Sequence, residues 1–391
     1  MTRRVWIKVC ILLLFFLNCT SFFSEVITDK DFEFSLDIPE GFIIAEHTDD
    51  GMSYLFTHPN IPVSLALKIT NTPEYDSSFT ALQQSLKKLN AKQEIDEFYW
   101  NEIPCSISSF SMNIDQNYAG WAVSTPTQIQ DCYLVLLCYA PAKKEQACEQ
   151  FIMSTLNSLC IDETLYNTPG IIASYAFPSE SSKQVRLTIG NKVINSKIDK
   201  SDCDASQFVV DLEYSVLTLY GKHKLWKEAW ERYYRMIYRD SFGRLQYVSE
   251  DIFNALYADC KKRNPSNPDI EYAQMLLSWV QNFKYTRATN TKNSDFTSLP
   301  NILCNEGSDC DSRSMLLCVL LKSIGIETLF LFSPEYSHAM VATDIEAPGQ
   351  KFSLDGNYKQ YIMGETTANV TWGMIAQEHS DRKKWIPVLL P

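Results

Sequence analysis

The segment from Gly307 to Gly325 restricts the fold of this chain more than any other segment. Gly307 allows a sharp turn, and Ser308 or Asp309 can cap a helix whose first turn contains Cys310. Apolar residues then recur at helical spacing, and Gly325 suits the left-handed conformation that ends many helices. The sequence therefore predicts a buried helix with a cysteine in its first turn.

Opposing effects act on the thiol of Cys310. Unpaired backbone N–H groups and the positive end of the helix dipole lower a cysteine pKa from its usual value of about 8.5. Asp309 and Asp311 act in the opposite direction through like-charge repulsion. A basic partner is therefore needed, and His338 is the candidate, placed before the predicted strand "AMVATDI". Tertiary structure must bring it to Cys310, because 28 residues separate the two.

A third polar group should hold the other nitrogen of the His338 ring and fix its tautomer. Two acids can reach this position. Asp355 lies in "FSLDGNYKQY", and Glu365 lies in "YIMGETT" at the end of the next predicted strand. Both stay open on this reasoning alone.

The whole ordered set resembles the transglutaminase-like superfamily. It comprises Gly-x-Asp-Cys-Asp at 307–311, a helix, a strand, His-Ala at 338–339 and an acid-Thr pair at 365–366. The segments "FKYT" at 283–286 and "SLPNIL" at 298–303 also occur where such domains carry an aromatic strand and a Pro-x-x-x-Leu segment. The resemblance implies a papain-like α+β domain at 266–391 with a Cys-His-Asp triad.

The resemblance also assigns roles to particular residues. It implies Cys310 as nucleophile, His338 as base and Glu365 as third member, with Asp355 as the alternative third member. Two departures are visible, since Ser308 replaces the commoner glycine and "ETT" replaces Asp-Pro-Thr. The implied chemistry is that of a cysteine peptidase or amidase acting through an acyl-enzyme on a protein or peptide substrate, without cofactor or metal.

The N-terminus has the pattern of a secretory signal peptide over residues 1–21. Arg3, Arg4 and Lys8 precede a short apolar run, too short to span a bilayer. The end of the run either offers small residues for ordinary signal cleavage or forms a relaxed lipobox in which Cys19 is lipidated. We therefore expect an exported bacterial protein of the periplasm or cell envelope, with a lipid anchor as the alternative to a cleaved form.

Residues 25–162 alternate between apolar and polar positions in several stretches, which predicts strands, and two further stretches have helical spacing. A continuous apolar run from Tyr133 to Tyr139 is typical of a central strand covered on both faces. The segments "FSLDIPEGF", "YAGWAVSTP", "CYLVLLCYAP" and "FIMSTLNSL" resemble a PsbP-like α/β module. That resemblance implies a binding or scaffolding domain without catalytic residues.

Residues 163–265 predict a connector of two strands followed by helices. The strands are "GIIASYAF" and "QVRLTIGNKVI". In the helical part, Trp226, Trp230, Tyr233 and Ile237 share one face, which we expect to be buried between domains. The predicted fold is therefore α+β, with a PsbP-like module, a helical connector and a transglutaminase-like domain in that order.

Charge and cysteine spacing exclude several classes of function. Removal of Arg3, Arg4 and Lys8 with the leader changes the formal charge from −12 to −15, which disfavours a nucleic-acid partner. No Cys-x-x-Cys pair occurs, so we expect no zinc site. Cys304 is predicted to be a buried thiol, with pairing to another cysteine as the alternative. The other histidines, at positions 47, 58, 223 and 379, lie in polar contexts where we expect solvated rings.

A second class of function remains open. The transglutaminase-like fold can present a surface without catalysis, which would make the chain a binding or scaffolding protein of the envelope. Retention of both Cys310 and His338 favours the enzyme, because an inactive site usually loses one of the two.

Overall fold

The computed structural model describes residues 26–71, 75–287, 293–304 and 307–391, which form a mixed α+β fold. The predicted signal peptide at 1–21 and the lipidation candidate Cys19 lie outside the described residues. Within those ranges, no helix is both long enough and apolar enough to cross a membrane.

The strands and helices follow one another along the whole chain. The strands are β1 (Ile27–Asp29), β2 (Phe34–Leu36), β3 (Ile43–His47), β4 (Ser53–Thr57), β5 (Ser64–Thr70), β6 (Lys92–Trp100), β7 (Ile103–Asn113), β8 (Asn117–Pro126), β9 (Tyr133–Pro141), β10 (Leu159–Cys160), β11 (Ser182–Ile189), β12 (Lys192–Asp199), β13 (Thr328–Ser333), β14 (His338–Thr343), β15 (Lys351–Phe352), β16 (Tyr361–Gly364) and β17 (Ile386–Leu389). The α-helices are α1 (Ser78–Lys88), α2 (Glu145–Asn157), α3 (Ile171–Ala176), α4 (Asp202–Thr218), α5 (Trp226–Arg244), α6 (Gln246–Arg263), α7 (Pro268–Gln281), α8 (Leu299–Leu303) and α9 (Cys310–Lys322).

The N-terminal part is built on an antiparallel seven-stranded sheet in the order β3-β4-β5-β9-β8-β7-β6. Its central strand β9 has both faces covered, as the continuous apolar run predicts. Val135 and Leu137 pack with the buried face of α1, whereas Leu134 and Leu136 belong to the core that contains Phe151 of α2. The small sheet β1-β2-β10 completes this layer.

The first of the two strands predicted after residue 169 is wrong, because "GIIASYAF" contains the short helix α3. The side chain of Asn157 accepts the backbone N–H of Ala173 at 3.0 Å, which satisfies an N–H of the first helical turn from outside the segment. Gly170 approaches the same asparagine so closely that a Cβ there would lie 2.3 Å from its Oδ1. A contact between distant residues therefore overrides the local β propensity of Ile171 and Ile172.

The predicted aromatic face of α5 is confirmed as a packing surface. Trp230 packs on Phe332 of β13 with ring centroids 5.6 Å apart, and Tyr234 lies 4.3 Å from Phe330. Tyr233 and Ile237 are buried beside them. One continuous cluster of buried side chains runs from the seven-stranded sheet through the helices to the C-terminal strands.

The C-terminal part has an antiparallel five-stranded sheet in the order β15-β16-β14-β13-β17. Helix α9 covers one face, and almost every residue of this helix is buried. A second, smaller apolar cluster is separate from the main core and includes Leu331, Met340 and Trp385. Because β14 and β16 are antiparallel neighbours, the first residue of β14 and the residue after β16 come together at the same end of the two strands.

Candidate thiol site

A tight turn places Cys310 at the start of α9. Gly307 has a φ of +93°, and a Cβ at this position would lie 2.1 Å from Oγ1 of Thr286, so only glycine fits. The side chain of Asp309 accepts the backbone N–H of Ser312 at 2.8 Å, and the Ser312 hydroxyl accepts the N–H of Asp309 at 3.0 Å. This capping box makes Cys310 the first residue of the helix.

A buried arginine links the start of helix α9 to the segment that follows strand β16. The Arg313 guanidinium donates to the Ser308 hydroxyl at 2.8 Å and to the carbonyl oxygens of Phe283 and Thr366 at 2.6 and 3.1 Å. It therefore links the cysteine turn to the segment directly after Glu365. Its sequence position gave no signal for this role, because two of the three partners, Phe283 and Thr366, are distant in the chain.

His338, the first residue of β14, forms a direct pair with Glu365, the residue after β16. Nε2 of His338 lies 2.8 Å from Oε2 of Glu365, and both side chains are largely buried. The other oxygen of Glu365 accepts the N–H and the hydroxyl of Thr367 at 2.7 and 2.6 Å. Burial raises the pKa of Glu365, but the hydrogen bond and charge of His338 outweigh it, so that the pKa falls to about 2.

This pairing leaves Nδ1 of His338 to exchange protons with other groups. With Glu365 ionised, Nε2 carries the hydrogen that it donates to the carboxylate, and in the neutral ring Nδ1 is then the acceptor. Asp355 takes no part in the pairing, since its exposed carboxylate forms an ion pair with Arg382. Of the two acids that the sequence proposed, Glu365 is therefore the one in contact with the imidazole.

The thiol of Cys310 lies beside the first residues of β14. The backbone N–H of Ala339, the residue after His338, lies close enough to this sulfur to lower the pKa of the thiol. The thiol itself donates to Oδ1 of Asp311 at 3.2 Å, and Cys310 is only 3% exposed. The sulfur is thus held between the helix and the histidine strand.

The balance of effects on this thiol favours its protonated form. Burial raises the pKa of Cys310 above its usual value, and the charges of Asp311 and Asp309 raise it further. These effects exceed the helix-terminus contribution that the sequence suggested. Burial also raises the pKa of both aspartates, and the hydroxyl of Tyr234 donates to Oδ2 of Asp311 at 2.8 Å. The resting site therefore holds a neutral thiol.

His379 also belongs to this site, whereas the sequence predicted a solvated ring. Its ring centroid lies 5.1 Å from that of His338, and Trp385 donates from its indole N–H to the His379 carbonyl oxygen at 2.8 Å. His58 is buried as well, within the seven-stranded module. The short 3₁₀ helix Gln377–His379 that carries this ring has no sequence motif, and only the tertiary fold reveals its position.

His338, Glu365 and His379 could together hold a metal ion. One ligand atom from each residue lies within 4.8 Å of the others, and two imidazoles with a carboxylate suit zinc and related ions. Nδ1 of His379 is buried and has no hydrogen-bond partner among the residues that the structure describes. The same atoms would then be withdrawn from acid–base chemistry with Cys310.

Cys304 is half-buried and lies against a second cysteine. Its sulfur is 3.6 Å from the sulfur of Cys203 on α4, a pairing partner that the sequence did not single out. Lys183 contacts the pair, with Nζ 3.9 Å from the Cys203 sulfur. Neither of these two thiols takes part in the contacts of Cys310 described above.

Comparisons with known proteins give weak structural likeness. No protein-family model matches the sequence, and no curated protein matches it. Solved structures that match include cyanobacterial PsbP from Synechocystis sp. PCC 6803, with 11% identity, a TM-score of 0.31, and coverage of 38% of this chain and 98% of that chain.

Two other matching structures have similar values. The Ran-binding protein Mog1p of Saccharomyces cerevisiae has 12% identity and a TM-score of 0.27 over 36% of this chain and 96% of that chain. LpqN of Mycobacterium tuberculosis, involved in cell envelope biogenesis, has 13% identity and a TM-score of 0.25 over 36% and 87%. Likeness at this level, in keeping with a weak PsbP-like resemblance, indicates no activity, ligand or partner for the chain.

Proposed function

We propose that the chain is a transglutaminase-like thiol enzyme, a cysteine peptidase or amidase that works through an acyl-enzyme. The observation that carries the proposal is the pair of His338 and Glu365, whose side chains are 2.8 Å apart. His338 begins β14, and the N–H of the next residue, Ala339, lies close to the Cys310 sulfur. An oriented imidazole beside a helix-start cysteine is the arrangement that thiol acyl transfer requires.

In the first half of the reaction, Nδ1 of His338 takes the thiol proton and the Cys310 sulfur attacks the carbonyl carbon of the substrate. A carbon–sulfur bond forms as the carbonyl oxygen becomes an oxyanion. The carbon–nitrogen bond then breaks, and the imidazolium gives its proton to the leaving amine. Glu365 stabilises the imidazolium throughout, because its carboxylate already accepts the Nε2 hydrogen.

In the second half, water attacks the thioester and gives a proton to His338. The carbon–sulfur bond breaks, the acid product leaves, and the sulfur recovers its proton from the imidazolium. Hydrolysis is favoured over cross-linking because water is the abundant acceptor in an envelope compartment. The substrate is then a protein or peptide of that compartment, which is where the N-terminal signal pattern would deliver the chain.

The oxyanion needs hydrogen-bond donors, and two groups suit this role. One is the backbone N–H of Cys310 at the start of α9. The other is the hydroxyl of Tyr285, whose half-exposed ring stacks on the Arg313 guanidinium at 5.3 Å. Burial raises the pKa of Tyr285, and a negative charge on Cys310 raises it further, so the phenol keeps its proton.

A second candidate function is favoured by the state of the thiol. Cys310 is buried and its pKa is raised, and its proton is shared with Asp311 rather than with an imidazole. Such a thiol is a weak nucleophile, as expected of a binding or scaffolding protein that keeps the fold without the chemistry.

Hydrolysis of a panel of peptide amides and p-nitrophenyl esters separates the two candidates. Wild-type protein should turn over members of the panel, and Cys310→Ala and His338→Gln should each abolish that turnover. Cys304→Ser is the matched control, since it removes another thiol close in sequence and should leave turnover unchanged. Wild-type turnover no faster than that of Cys310→Ala or of buffer alone would favour the binding class.

A further inference from the structure

A cavity of about 920 Å³ lies at the end of the seven-stranded sheet where β3 forms the edge. Its walls come from strands β1 to β5, the segments that connect them and the start of α5, and they include Phe34, Phe42, Phe56 and Leu67. Cavities of about 300–1,000 Å³ with apolar walls and a few polar groups are typical of small-molecule sites. The size and the walls therefore suit a ligand with a long apolar part.

One buried carboxyl at the wall of this cavity lacks a partner. Glu40 is 7% exposed, and its Oε1 atom has no hydrogen-bond partner within the described part of the chain. Its backbone is nevertheless held firmly, because the Tyr220 hydroxyl and Nε2 of His58 donate to its carbonyl oxygen at 2.7 and 3.0 Å. A buried polar atom of this kind costs free energy unless a ligand satisfies it.

The arginines near Glu40 are already engaged elsewhere. Arg232 forms an ion pair with Glu213 at 2.5 Å, and Arg235 forms one with Asp37 at 2.9 Å. Glu40 is therefore the acid of this group that forms no ion pair within the described part of the chain, and burial raises its pKa to about 8 despite the nearby guanidinium groups. A cation that reached this carboxyl would supply the charge that the protein does not.

A second acid faces the same cavity. Glu228 lines it from the first turn of α5, and its Oε2 atom is buried without a partner among the described residues. Asp29 contributes a third acid, whereas Lys224 is the one lysine or arginine among the lining residues that the structure describes. This excess of carboxyls favours a cationic head group over an anionic one.

We propose that this cavity binds an amphiphile with an alkyl chain and a primary ammonium head. Both unpartnered oxygens are buried, so the two carboxyl groups rotate toward the cavity as the head enters and donates charge-assisted hydrogen bonds to Glu40 and Glu228. The alkyl chain of the amphiphile lies against the phenylalanine and leucine side chains of the walls. It leaves the cavity toward Ile43 and Ile44, two apolar side chains that are each 56% exposed. This binding is independent of Cys310 chemistry and is expected to persist in Cys310→Ala.

Isothermal titration of the full chain with decylammonium and, separately, with decanoate tests the proposal. The two probes have chains of the same length and heads of opposite charge. Decylammonium should bind, and decanoate should bind at least about tenfold more weakly. Glu40→Gln should weaken decylammonium binding by about tenfold or more, because it removes a hydrogen bond to a charged partner. Ile44→Ser should weaken decylammonium binding by a smaller factor, because it affects only the alkyl part of the probe.

Glu46→Gln is the matched control, since this acid lies on the same strand β3 but does not line the cavity. Its affinity for decylammonium should equal that of wild type. Glu228→Gln provides a second variant should Glu40→Gln alter the circular dichroism spectrum. The proposal is overturned by decanoate binding as tightly as decylammonium, by neither probe binding, or by both glutamine variants retaining wild-type affinity.

Discussion

Nε2 of His338 and Oε2 of Glu365 are 2.8 Å apart, whereas the carboxylate of Asp355 pairs with Arg382 at the surface. Glu365→Gln should therefore lower turnover by about 10²- to 10⁴-fold, because the imidazole loses the group that fixes its tautomer and stabilises its charged form. Asp355→Asn should leave turnover unchanged. Steady-state rates and iodoacetamide labelling of Cys310 in both variants check this, and a loss confined to Asp355→Asn would contradict it.

The positions of the three candidate site residues on their elements could be predicted from the sequence because each belongs to a local pattern. Cys310 follows a capping aspartate, His338 begins a strand, and Glu365 directly follows one. The contacts of Arg313 and His379 could not be predicted, because their partners are far away in the chain. Tertiary burial likewise sets the direction in which the pKa of the thiol shifts, which the opposing local effects of the helix terminus and the flanking aspartates left open.

The fold shows the same division. Alternating and helical patterns predicted a β-rich module with two helices, including the doubly covered strand β9. They failed at Ile171–Ala176, where the side chain of Asn157 holds the start of a helix from outside the segment. The cavity beside Glu40 also depends on tertiary structure, since its walls come from strands and a helix well separated in sequence.

Acid should weaken the fold through Glu365. Its pKa is lowered from 4.5 to about 2 in the folded chain, so its contribution is present above about pH 4.5 and is lost as the pH falls toward 2. That contribution amounts to at most about 3.5 kcal/mol, since the shift is about 2.5 units and one pKa unit corresponds to about 1.4 kcal/mol. Denaturant unfolding at about pH 6 and pH 3 should show this loss in wild type and a smaller one in Glu365→Gln. Equal losses in the two proteins would count against the pair.

Asp311 should restrain the nucleophile. Its carboxylate accepts the Cys310 thiol hydrogen at 3.2 Å and raises the thiol pKa. Asp311→Asn should lower that pKa by about one to three units, the usual effect of removing an adjacent like charge. The pH dependence of iodoacetamide labelling measures it, with Asp355→Asn as the control. A labelling curve in Asp311→Asn that matches wild type would show that Asp311 does not raise the thiol pKa.

Cys203 and Cys304 should form a disulfide under oxidising conditions. Their sulfurs are 3.6 Å apart, and small side-chain rotations bring them to the bonded distance of about 2.05 Å. Oxidised glutathione would accept the two electrons while the two thiols release their protons. Peptide mass spectrometry without reduction should then show these two cysteines linked, and Cys203→Ser should abolish the link. Separate alkylation of both after oxidation would contradict the expectation.

The most direct test of the central claim is acid-quenched mass spectrometry after mixing with a p-nitrophenyl ester. The proposed mechanism requires a thioester on Cys310, formed as nitrophenolate leaves and hydrolysed through His338. Wild type should show the acyl group on the peptide that contains Cys310, and His338→Gln should show far less of it. Absence of the adduct from Cys310, or equal acylation in His338→Gln, would contradict the assignment of a Cys310–His338 thiol enzyme.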